Sequence, residues 1–381
     1  MRINKLKIIN FRNHLETNIE LSPKLNIFYG KNGSGKTTIL ESIAILSLSK
    51  SFIPTTDSAL IKTDAEFYNL YAECVNDLDI KYKINVTYNG TGRKIINNSY
   101  GENLIPKKII GEIPLVILSP DFKSITFGSP QDRRQFVDIV LSQSDKLYFE
   151  EIAKHKKLLK QRNNILNNYL KSKQLDINLL DTITTFFINS SAEIIFKRYQ
   201  FINRFEPFFL DAYQKISKSS ENPKIIYKPN LDNDISSNEI TKSTIIDNLN
   251  YKYLKLKDLE LIRGLTLFGP QKDDFEFYVD NRLAKESASQ GQHKTLLISI
   301  KLSEFNFLKN IRNETPILML DDIYSELDSE RSIEISSIIK NLNCQTLITS
   351  TNKDLLNLLL KNENFIRFFY VENGNVEINA I

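Results

Sequence analysis

The chain has 381 residues, of which 41% are hydrophobic and 25% charged, as in a folded protein with more than one domain. Its net charge of +4 does not indicate a nucleic-acid binder, so any anion-binding surface must be local. The apolar runs are far shorter than the roughly 20 residues that span a bilayer, and the first residues lack the apolar core of a signal peptide. Cys74 and Cys344 are too few for a zinc cluster or a disulfide framework. We therefore expect a cytoplasmic protein without a membrane partner.

Strand patterns dominate the first 120 residues. Apolar and polar residues alternate over 2–9 and 18–29, which predicts two strands, and again over 67–89, where Asn76-Asp77 marks a turn. Between 37 and 48 the apolar residues recur at helical spacing. This part of the chain is predicted to be a strand-rich α/β domain.

The middle of the chain is predicted to form long helices. Residues 131–219 contain no glycine and one proline, Pro207. Ile152, Leu159 and Leu166 repeat every seven residues, which predicts a helical hairpin or coiled coil within 145–173, although His155 and Arg162 interrupt the seam. Residues 222–238 are rich in turn residues and predict a loop or a weak strand, and 240–260 predict a further helix.

After Gly264 the patterns of strands and helices alternate again. We expect strands at 265–267, 275–279, 317–320 and 346–349 and helices at 290–308, 330–342 and 355–360. The predicted organisation is an α/β domain that a helical arm splits in the sequence, with boundaries at 1–129, 130–259 and 260–381.

One motif predicts a phosphate-binding loop. Residues 30–37 match G-x-x-x-x-G-K-[ST] in full, after a strand pattern and before a helix pattern. Glycines let successive N–H groups point at a phosphate, Lys36 reaches the β and γ oxygens, and the Thr37 hydroxyl is a Mg²⁺ ligand. The predicted nucleotide-binding residues here are Gly30, Lys31, Asn32, Gly33, Ser34, Gly35, Lys36, Thr37 and Thr38.

Residues 317–322 form an apolar strand that ends in two carboxylates. Alone, this pattern is also that of a buried strand with a solvated end. Beside a phosphate loop it predicts a Walker B strand, in which Asp321 holds Mg²⁺ and Asp322 polarises the attacking water. Neighbouring side chains on a strand point to opposite faces, which would give the two carboxylates separate roles.

Ser289-Gln290-Gly291-Gln292 opens a predicted helix and offers a second phosphate-binding helix N-terminus. The alternative is a simple cap, because serine is a favoured N-cap residue. Two phosphate-binding helix N-termini in one chain predict that the γ-phosphate of a nucleotide is bound from both sides. Asp328, which follows the Walker B strand, is predicted to be a helix cap or an interface residue.

The combination of motifs resembles the ABC-type ATPase heads of the SMC and Rad50 class and, within it, the RecF family. The resemblance runs nearly end to end. It is carried, beside the motifs above, by residues 10–13 (NFRN), 119–121 (SPD), 128–134 (GSPQDRR), 263–266 (RGLT), 269–274 (GPQKDD) and 289–294 (SQGQHK). Gln271, Lys272 and Lys294 depart from the His, Arg and Arg of the family, and Ser350 and Thr351 stand where a switch histidine is expected.

The resemblance implies an α/β fold: an ABC-type P-loop ATPase head split by a helical arm. It implies ATP and Mg²⁺ as cofactors, with Arg12 and Asn13 reaching the phosphates, although an arginine in a surface turn is the plainer interpretation. It also implies that Ser289, Gly291 and Gln292 close over the nucleotide of a second subunit.

The function implied by the resemblance is DNA replication and recombinational repair. The expected protein is a slow, DNA-stimulated ATPase and an ATP-dependent homodimer, which binds duplex DNA near single-strand gaps. Mediators of the RecR and RecO type, which assist RecA loading, are the implied protein partners.

The predicted arm carries a run of basic residues. Lys156, Lys157 and Lys160 are candidates for contacts with the DNA backbone, although such a run is also typical of the solvated face of a helix.

Three other functions stay open at this point. A P-loop kinase would have no use for the 289–292 motif, and the ATPase subunit of a transporter normally lacks a long helical insert. A non-hydrolysing ATP-dependent clamp would carry the same motifs.

Overall fold

The computed structural model describes residues 1–99, 101–104, 106–217, 221–232, 240–325, 329–352 and 365–379. The chain forms two compact units. The first comprises Met1–Lys123, Ala212–Lys218 and Thr295–Ile381, and the second comprises Ser124–Asp211 and Ser219–Lys294. Mixed sheets and helices confirm the predicted α/β class. The units do not share their ends with the predicted domains, and the division at 129 and 259 stays a prediction.

The strands and helices are defined as follows, in chain order. The strands are β1 (Arg2–Phe11), β2 (His14–Glu20), β3 (Leu25–Tyr29), β4 (Tyr68–Val75), β5 (Lys81–Tyr88), β6 (Ile95–Asn98), β7 (Asn103–Leu104), β8 (Leu115–Leu118), β9 (Pro223–Lys228), β10 (Asp274–Val279), β11 (Arg282–Leu283), β12 (Ile317–Asp321), β13 (Thr346–Ser350), β14 (Ile366–Glu372) and β15 (Asn375–Asn379). The helices are α1 (Lys36–Leu48), α2 (Pro106–Ile109), α3 (Ser124–Phe127), α4 (Pro130–Ser144), α5 (Lys146–Ser172), α6 (Ile177–Ser217), α7 (Lys242–Arg263), α8 (Ala284–Ser287), α9 (Gln290–Arg312) and α10 (Ser329–Leu342).

The first unit contains two sheets. One is antiparallel, in the order β2-β1-β4-β5-β6-β7, and the other has the order β15-β14-β3-β13-β12-β8. In the second sheet β14, β3, β13, β12 and β8 run parallel, so their carboxyl ends meet at one edge. An edge of this kind is where open α/β sheets bind ligands.

Helix α1 packs in the core of the first unit and is buried all round. Of its residues only Thr37 is not buried. A helix that is apolar on every face needs partners on every face, and α1 contacts strands of both sheets. The phosphate-loop helix is therefore fixed rigidly in the core.

Several predicted elements differ from the observed ones. The stretch 18–29 is part of two strands, β2 and β3, because Pro23 interrupts it and removes a backbone donor. Residues 265–267 form no strand, and the single helix α5, Lys146–Ser172, stands where a hairpin was one of the two structures predicted. The predicted helix 355–360 lies outside the described residues.

The second unit has a charged core beside the small sheet β11-β10-β9. Arg162 is 0% exposed, pairs with Glu260 at 2.6 Å, and lies 5.3 Å from the ring centre of Tyr253. Asp273, also 0% exposed, accepts hydrogen bonds from Arg198 at 2.7 Å and from the Tyr227 hydroxyl. Buried ions are tolerated only when they are paired in this way. Arg162, which interrupts the seven-residue repeat of apolar residues, is therefore part of the packed core.

Helix α6 is the one helix in the described part of the chain that is long and apolar enough to cross a membrane by length and composition. Half of its most apolar stretch is buried inside the structure. The helix carries Arg198 in the charged core of the second unit. These contacts are those of a core helix.

Candidate functional site

The phosphate loop lies between β3 and α1, at the carboxyl edge of the parallel strands. Gly35 is the N-cap of α1 and has φ +112°, a conformation that favours glycine. A Cβ at this position would lie 2.6 Å from Nε2 of His14. The second glycine of the motif is therefore required both by the backbone conformation and by the close approach of the β1–β2 turn.

Lys36 lies across the loop that it belongs to. Its Nζ donates to the carbonyl oxygens of Gly30 and Lys31, each at 2.9 Å. Burial lowers the pKa of Lys36, and the carboxylates of Asp322 and Asp321 oppose this effect. The ammonium is thus held at the loop by groups that an entering phosphate oxygen can replace.

Asp321 is joined to the phosphate-loop helix by a short chain of hydrogen bonds. The Thr37 hydroxyl donates to Asp321 Oδ1 at 2.8 Å, and the Thr349 hydroxyl donates to the same atom at 2.7 Å. Burial raises the pKa of Asp321, while these two hydrogen bonds act to lower it. The structure thus places the two predicted magnesium ligands, Thr37 and Asp321, side by side.

Asp322 differs from the predicted strand geometry. Strand β12 ends at Asp321, and Asp322 has φ +47°, so the strand alternation that we invoked for the pair does not apply. Its N–H donates to the Thr349 hydroxyl at 2.9 Å. Its Oδ1 is buried without a hydrogen-bond partner among the residues that the structure describes. The turn after β12, and not the pleat, separates the two carboxylates.

The turn between β1 and β2 brings Arg12 and Asn13 to the site. Arg12 has φ +50° and forms a two-pronged ion pair with Glu41 of α1, in which Nη2 lies 2.8 Å from Oε1. Asn13 Nδ2 donates to the carbonyl of Ser34 at 3.0 Å. The arginine is therefore in the site, although a carboxylate of the same unit already holds it.

These groups line one open cavity of about 350 Å³, a size typical of small-ligand sites. Its lining residues are Arg12, Asn13, Asn32, Gly33, Gly35, Lys36, Thr37, Thr38, Asp322 and Thr349. Thr349, rather than Ser350 or Thr351, is the residue of the β13 end that faces it.

The cavity fits a phosphate chain and a divalent cation. The N-terminus of α1, Lys36 and Arg12 supply positive charge, and Asp322 supplies carboxylate oxygens. Asp321 is joined to the lining residues Thr37 and Thr349 by hydrogen bonds. Within the described residues, Oδ1 of the lining residue Asp322 is buried without a hydrogen-bond partner. Such an atom indicates a ligand that completes the site.

The 289–292 segment lies in the second unit and forms a helix cap. Gln292 N–H donates to Ser289 Oγ at 3.2 Å, and Ser289 N–H donates to Gln292 Oε1 at 2.8 Å. Gln292 also donates to Glu221 at 2.8 Å. Ser289 is exposed ahead of α9, and the contact of Ser289, Gly291 and Gln292 with a second subunit stays a prediction. Asp328 lies outside the described residues.

The three candidate DNA contacts are exposed on α5. Lys156, Lys157 and Lys160 form no ion pair within the described part of the chain, whereas the neighbouring Lys154 pairs with Glu151 at 3.1 Å. His155, between them in sequence, faces inward and is 4% exposed. The helix thus separates a solvated basic face from a packed one.

Sequence reasoning missed three residues of the site. Glu41 fixes Arg12, Thr349 joins Asp321 to Asp322, and His14 contacts the phosphate loop from behind. Glu41 and Thr349 stand in predicted core elements, where a polar residue in an apolar pattern was the available signal. His14 carried no motif that separates it from a surface histidine.

The chain is similar to known proteins over nearly its whole length. The model of the RecF/RecN/SMC N terminal domain matches residues 2–377. The DNA replication and repair protein RecF of Chloroherpeton thalassium is 36% identical over 93% of this chain and 95% of its own length. That of Prosthecochloris aestuarii is 37% identical over 94% of this chain and 96% of its own length.

Comparison with solved structures also shows similarity to a RecF protein over the whole chain. The recombination mediator protein RecF, solved with ATPrS, superposes with a TM-score of 0.90 at 28% identity, covering 100% of this chain and 98% of the other. An SMC head bound to the C-winged helix domain of ScpA has a TM-score of 0.56 at 15% identity, which shows the shared fold, and covers 100% of this chain and 98% of the other. The chain therefore belongs to the RecF family of ABC-type ATPases, within the wider family of RecF, RecN and SMC N-terminal domains.

Proposed function

We propose that this chain is an ATP-gated, DNA-binding dimer of recombinational repair and replication, cytoplasmic, with a slow DNA-stimulated ATPase activity. The observation that carries the proposal is the cavity lined by the phosphate loop, Arg12 and Asp322, with Asp321 hydrogen-bonded to the lining residue Thr37. The relatives named for DNA replication and repair, and the ATP-bound RecF structure, support it.

The residues of the cavity would bind ATP with divided roles. The N–H groups at the start of α1 and the ammonium of Lys36 would bind the β- and γ-phosphates. Arg12 would reach the phosphates through Nη1, which its pair with Glu41 leaves unused. Thr37 and Asp321 would hold a Mg²⁺ ion, which when bound neutralises phosphate charge.

Asp322 would orient the attacking water. Its Oδ1 is buried and faces no hydrogen-bond donor among the described residues, so a water proton is a suitable partner. Thr349 fixes the backbone of Asp322 through the Asp322 N–H and so holds this carboxylate in place.

ATP would also join two copies. Ser289, Gly291 and Gln292 open α9 with a cap that is exposed to solvent at Ser289, as a trans contact requires. A half-site made of the phosphate loop alone surrounds the γ-phosphate incompletely, which is why dimerisation would depend on ATP. Asp328 is proposed to lie at the same interface.

DNA would be held by local positive charge. Lys156, Lys157 and Lys160 of α5, which form no ion pair within the described residues, supply such a patch in a chain whose total charge is only +4. Partners of the RecR and RecO type are proposed from the family alone.

Steady-state phosphate release, measured with and without duplex DNA, tests the proposal. We expect slow release that DNA stimulates. Release that requires a small phosphate acceptor would instead indicate a kinase, and ATP binding without release under either condition would indicate a non-hydrolysing clamp.

A further inference from the structure

Two turns of the first unit contact the backbone of the phosphate loop. One is the β1–β2 turn, with Asn13 and His14, and the other is the β14–β15 turn, with Gly374. Neither turn belongs to the phosphate-loop motif. Their contacts converge on two carbonyl groups, those of Ser34 and Gly35.

The Ser34 carbonyl accepts two hydrogen bonds. The N–H of Gly374 donates to it at 2.9 Å and Asn13 Nδ2 donates at 3.0 Å. Gly374 has φ +80°, and a Cβ there would lie 2.2 Å from the backbone oxygen of Asn13. The two turns are therefore packed against each other as closely as glycine allows.

The Gly35 carbonyl accepts hydrogen bonds from His14 and, at 3.4 Å, from the N–H of Ile39 in the first turn of α1. Nε2 of His14 lies 3.1 Å from this oxygen, and because a carbonyl only accepts, the imidazole must donate. Nδ1 lies 2.8 Å from the Thr17 hydroxyl, and when the ring carries its proton on Nε2 this hydroxyl donates to Nδ1. His14 is 0% exposed, and burial lowers its pKa, so the neutral ring with a proton on Nε2 is the form that fits.

Because of the geometry of the peptide group, these contacts also fix the direction of N–H groups on the opposite face of the loop. In a planar trans peptide the C=O of one residue and the N–H of the next point in opposite directions. Holding the carbonyl of Ser34 fixes the N–H of Gly35, and holding that of Gly35 fixes the N–H of Lys36. These N–H groups are the N-cap and first donors of α1, which the helix itself leaves without partners.

We infer that His14, oriented by Thr17 and backed by Gly374, is a positioning residue that aims the Gly35 and Lys36 N–H groups at the β-phosphate of a bound nucleotide. The inference rests on the proposed binding of ATP in the adjoining cavity. On this inference the β1–β2 and β14–β15 turns order the phosphate loop before the ligand binds. The free energy needed to order the loop on binding is then smaller.

The experiment compares the affinities of ADP and AMP, since only ADP carries a β-phosphate, for the full chain and three variants. His14→Leu removes the donor, His14→Gln keeps an N–H that can reach the Gly35 carbonyl, and Thr17→Val removes only the hydroxyl. Binding is measured by competition with a fluorescent ATP analogue, and folding by circular dichroism.

We expect His14→Leu to weaken ADP about tenfold, the effect of one lost hydrogen bond, with AMP changed less than about twofold. His14→Gln should restore ADP binding to within about threefold of the wild type, and Thr17→Val should weaken ADP about threefold without affecting AMP.

Three results would overturn the inference. They are unchanged ADP affinity in His14→Leu, an equal loss for ADP and AMP, and a glutamine variant as weak as the leucine variant. If His14→Leu does not fold, an unchanged ratio of ADP to AMP affinity in Thr17→Val decides against it. If the wild type itself does not bind ADP, the proposed function is overturned as well. That result differs from the three above, in all of which the wild type binds ADP.

Discussion

The hydroxyl of Thr37 donates a hydrogen bond of 2.8 Å to Oδ1 of Asp321, although the two residues are 284 positions apart in the chain. The contact joins the first turn of α1 to the end of β12. It puts a hydroxyl and a carboxylate, both hard oxygen ligands, at one point of the cavity. Asp322 follows directly and differs in its contact, because its N–H donates to the Thr349 hydroxyl at 2.9 Å.

That difference predicts different effects of the two asparagine substitutions. Asp321→Asn should weaken the Mg²⁺ dependence of ATP binding. Asp322→Asn should leave binding nearly unchanged and slow hydrolysis roughly a hundredfold or more, because it removes a general base. Equilibrium binding with and without Mg²⁺ and phosphate release measure the two effects. The opposite pattern would mean that the two roles are exchanged.

Lys36 should be indispensable for binding. Lys36→Ala removes the ammonium that the loop carbonyls hold, and we expect ATP affinity to fall roughly a hundredfold or more, equivalent to about 3 kcal/mol for a charged contact. Lys31→Ala is the matched control, because Lys31 is exposed in the same loop and contributes its backbone oxygen. Near-normal ATP binding by a folded Lys36→Ala variant would contradict the phosphate-loop assignment.

Ser289 should matter for association and not for binding within one copy. Ser289→Arg adds bulk and charge at the start of α9 and is expected to abolish the ATP-dependent dimer, with ATP affinity of the monomer unchanged. Ser287→Arg, at an exposed position two residues earlier, is the control. Light scattering gives the mass with and without ATP. A protein that is dimeric without nucleotide would point to another interface.

The basic face of α5 should contribute to the salt dependence of DNA binding. Each phosphate contact adds about −0.9 to the slope of log affinity against log salt, so we expect roughly −4 to −8 with ATP and a shallower slope without it. Replacing Lys156, Lys157 and Lys160 by alanine should flatten the slope by up to about 3, with no change of sequence preference.

The control is a second triple variant that loses the same number of positive charges on a different surface. Lys5, Lys81 and Lys83, exposed in the antiparallel sheet, can be replaced by alanine together. If both triple variants flatten the slope equally, net charge is responsible. An unchanged slope in the α5 variant would mean that these lysines form only the solvated face of the helix and do not contact DNA.

His155 should make the second unit less stable in acid. Its ring lies 4.9 Å from Phe187, Nε2 has no hydrogen-bond partner in the described part of the chain, and burial lowers its pKa to about 3 from 6.5. The charges of Arg198 and Lys156 contribute to this lowered pKa, and Asp138 opposes it. Because the folded pKa is the lower one, the neutral histidine is compatible with folding above pH 6.5, and stability is lost as the pH falls from 6.5 towards 3.

The size of the effect follows from linkage. At pH 5 the loss is on the order of 2 kcal/mol relative to pH 8. Urea unfolding of the wild type and of His155→Leu at several pH values isolates this contribution, because all other groups are common to both. A stability difference between the two proteins that stays constant from pH 8 to pH 5 would refute the prediction.

The sequence by itself predicted the glycine-rich loop between β3 and α1, the strand β12 that ends in acidic residues, and the long helices in the middle of the chain. Each of these depends on local spacing: a turn that needs glycine, a strand followed by acids, a long run without glycine. Such patterns are visible because the physical requirement and the residues that meet it are neighbours in the chain.

Only the tertiary structure decided which distant residues complete the site. Glu41 on Arg12, Thr349 between Asp321 and Asp322, and His14 behind Gly35 meet through parallel strand pairing and the packing of two turns, and no spacing rule encodes such contacts. The same holds for Asp322, whose orientation depends on the end of β12 and a positive φ and not on strand alternation. Contacts of this kind form because burial leaves polar groups no partner except each other, and that selection is made only when the chain is folded.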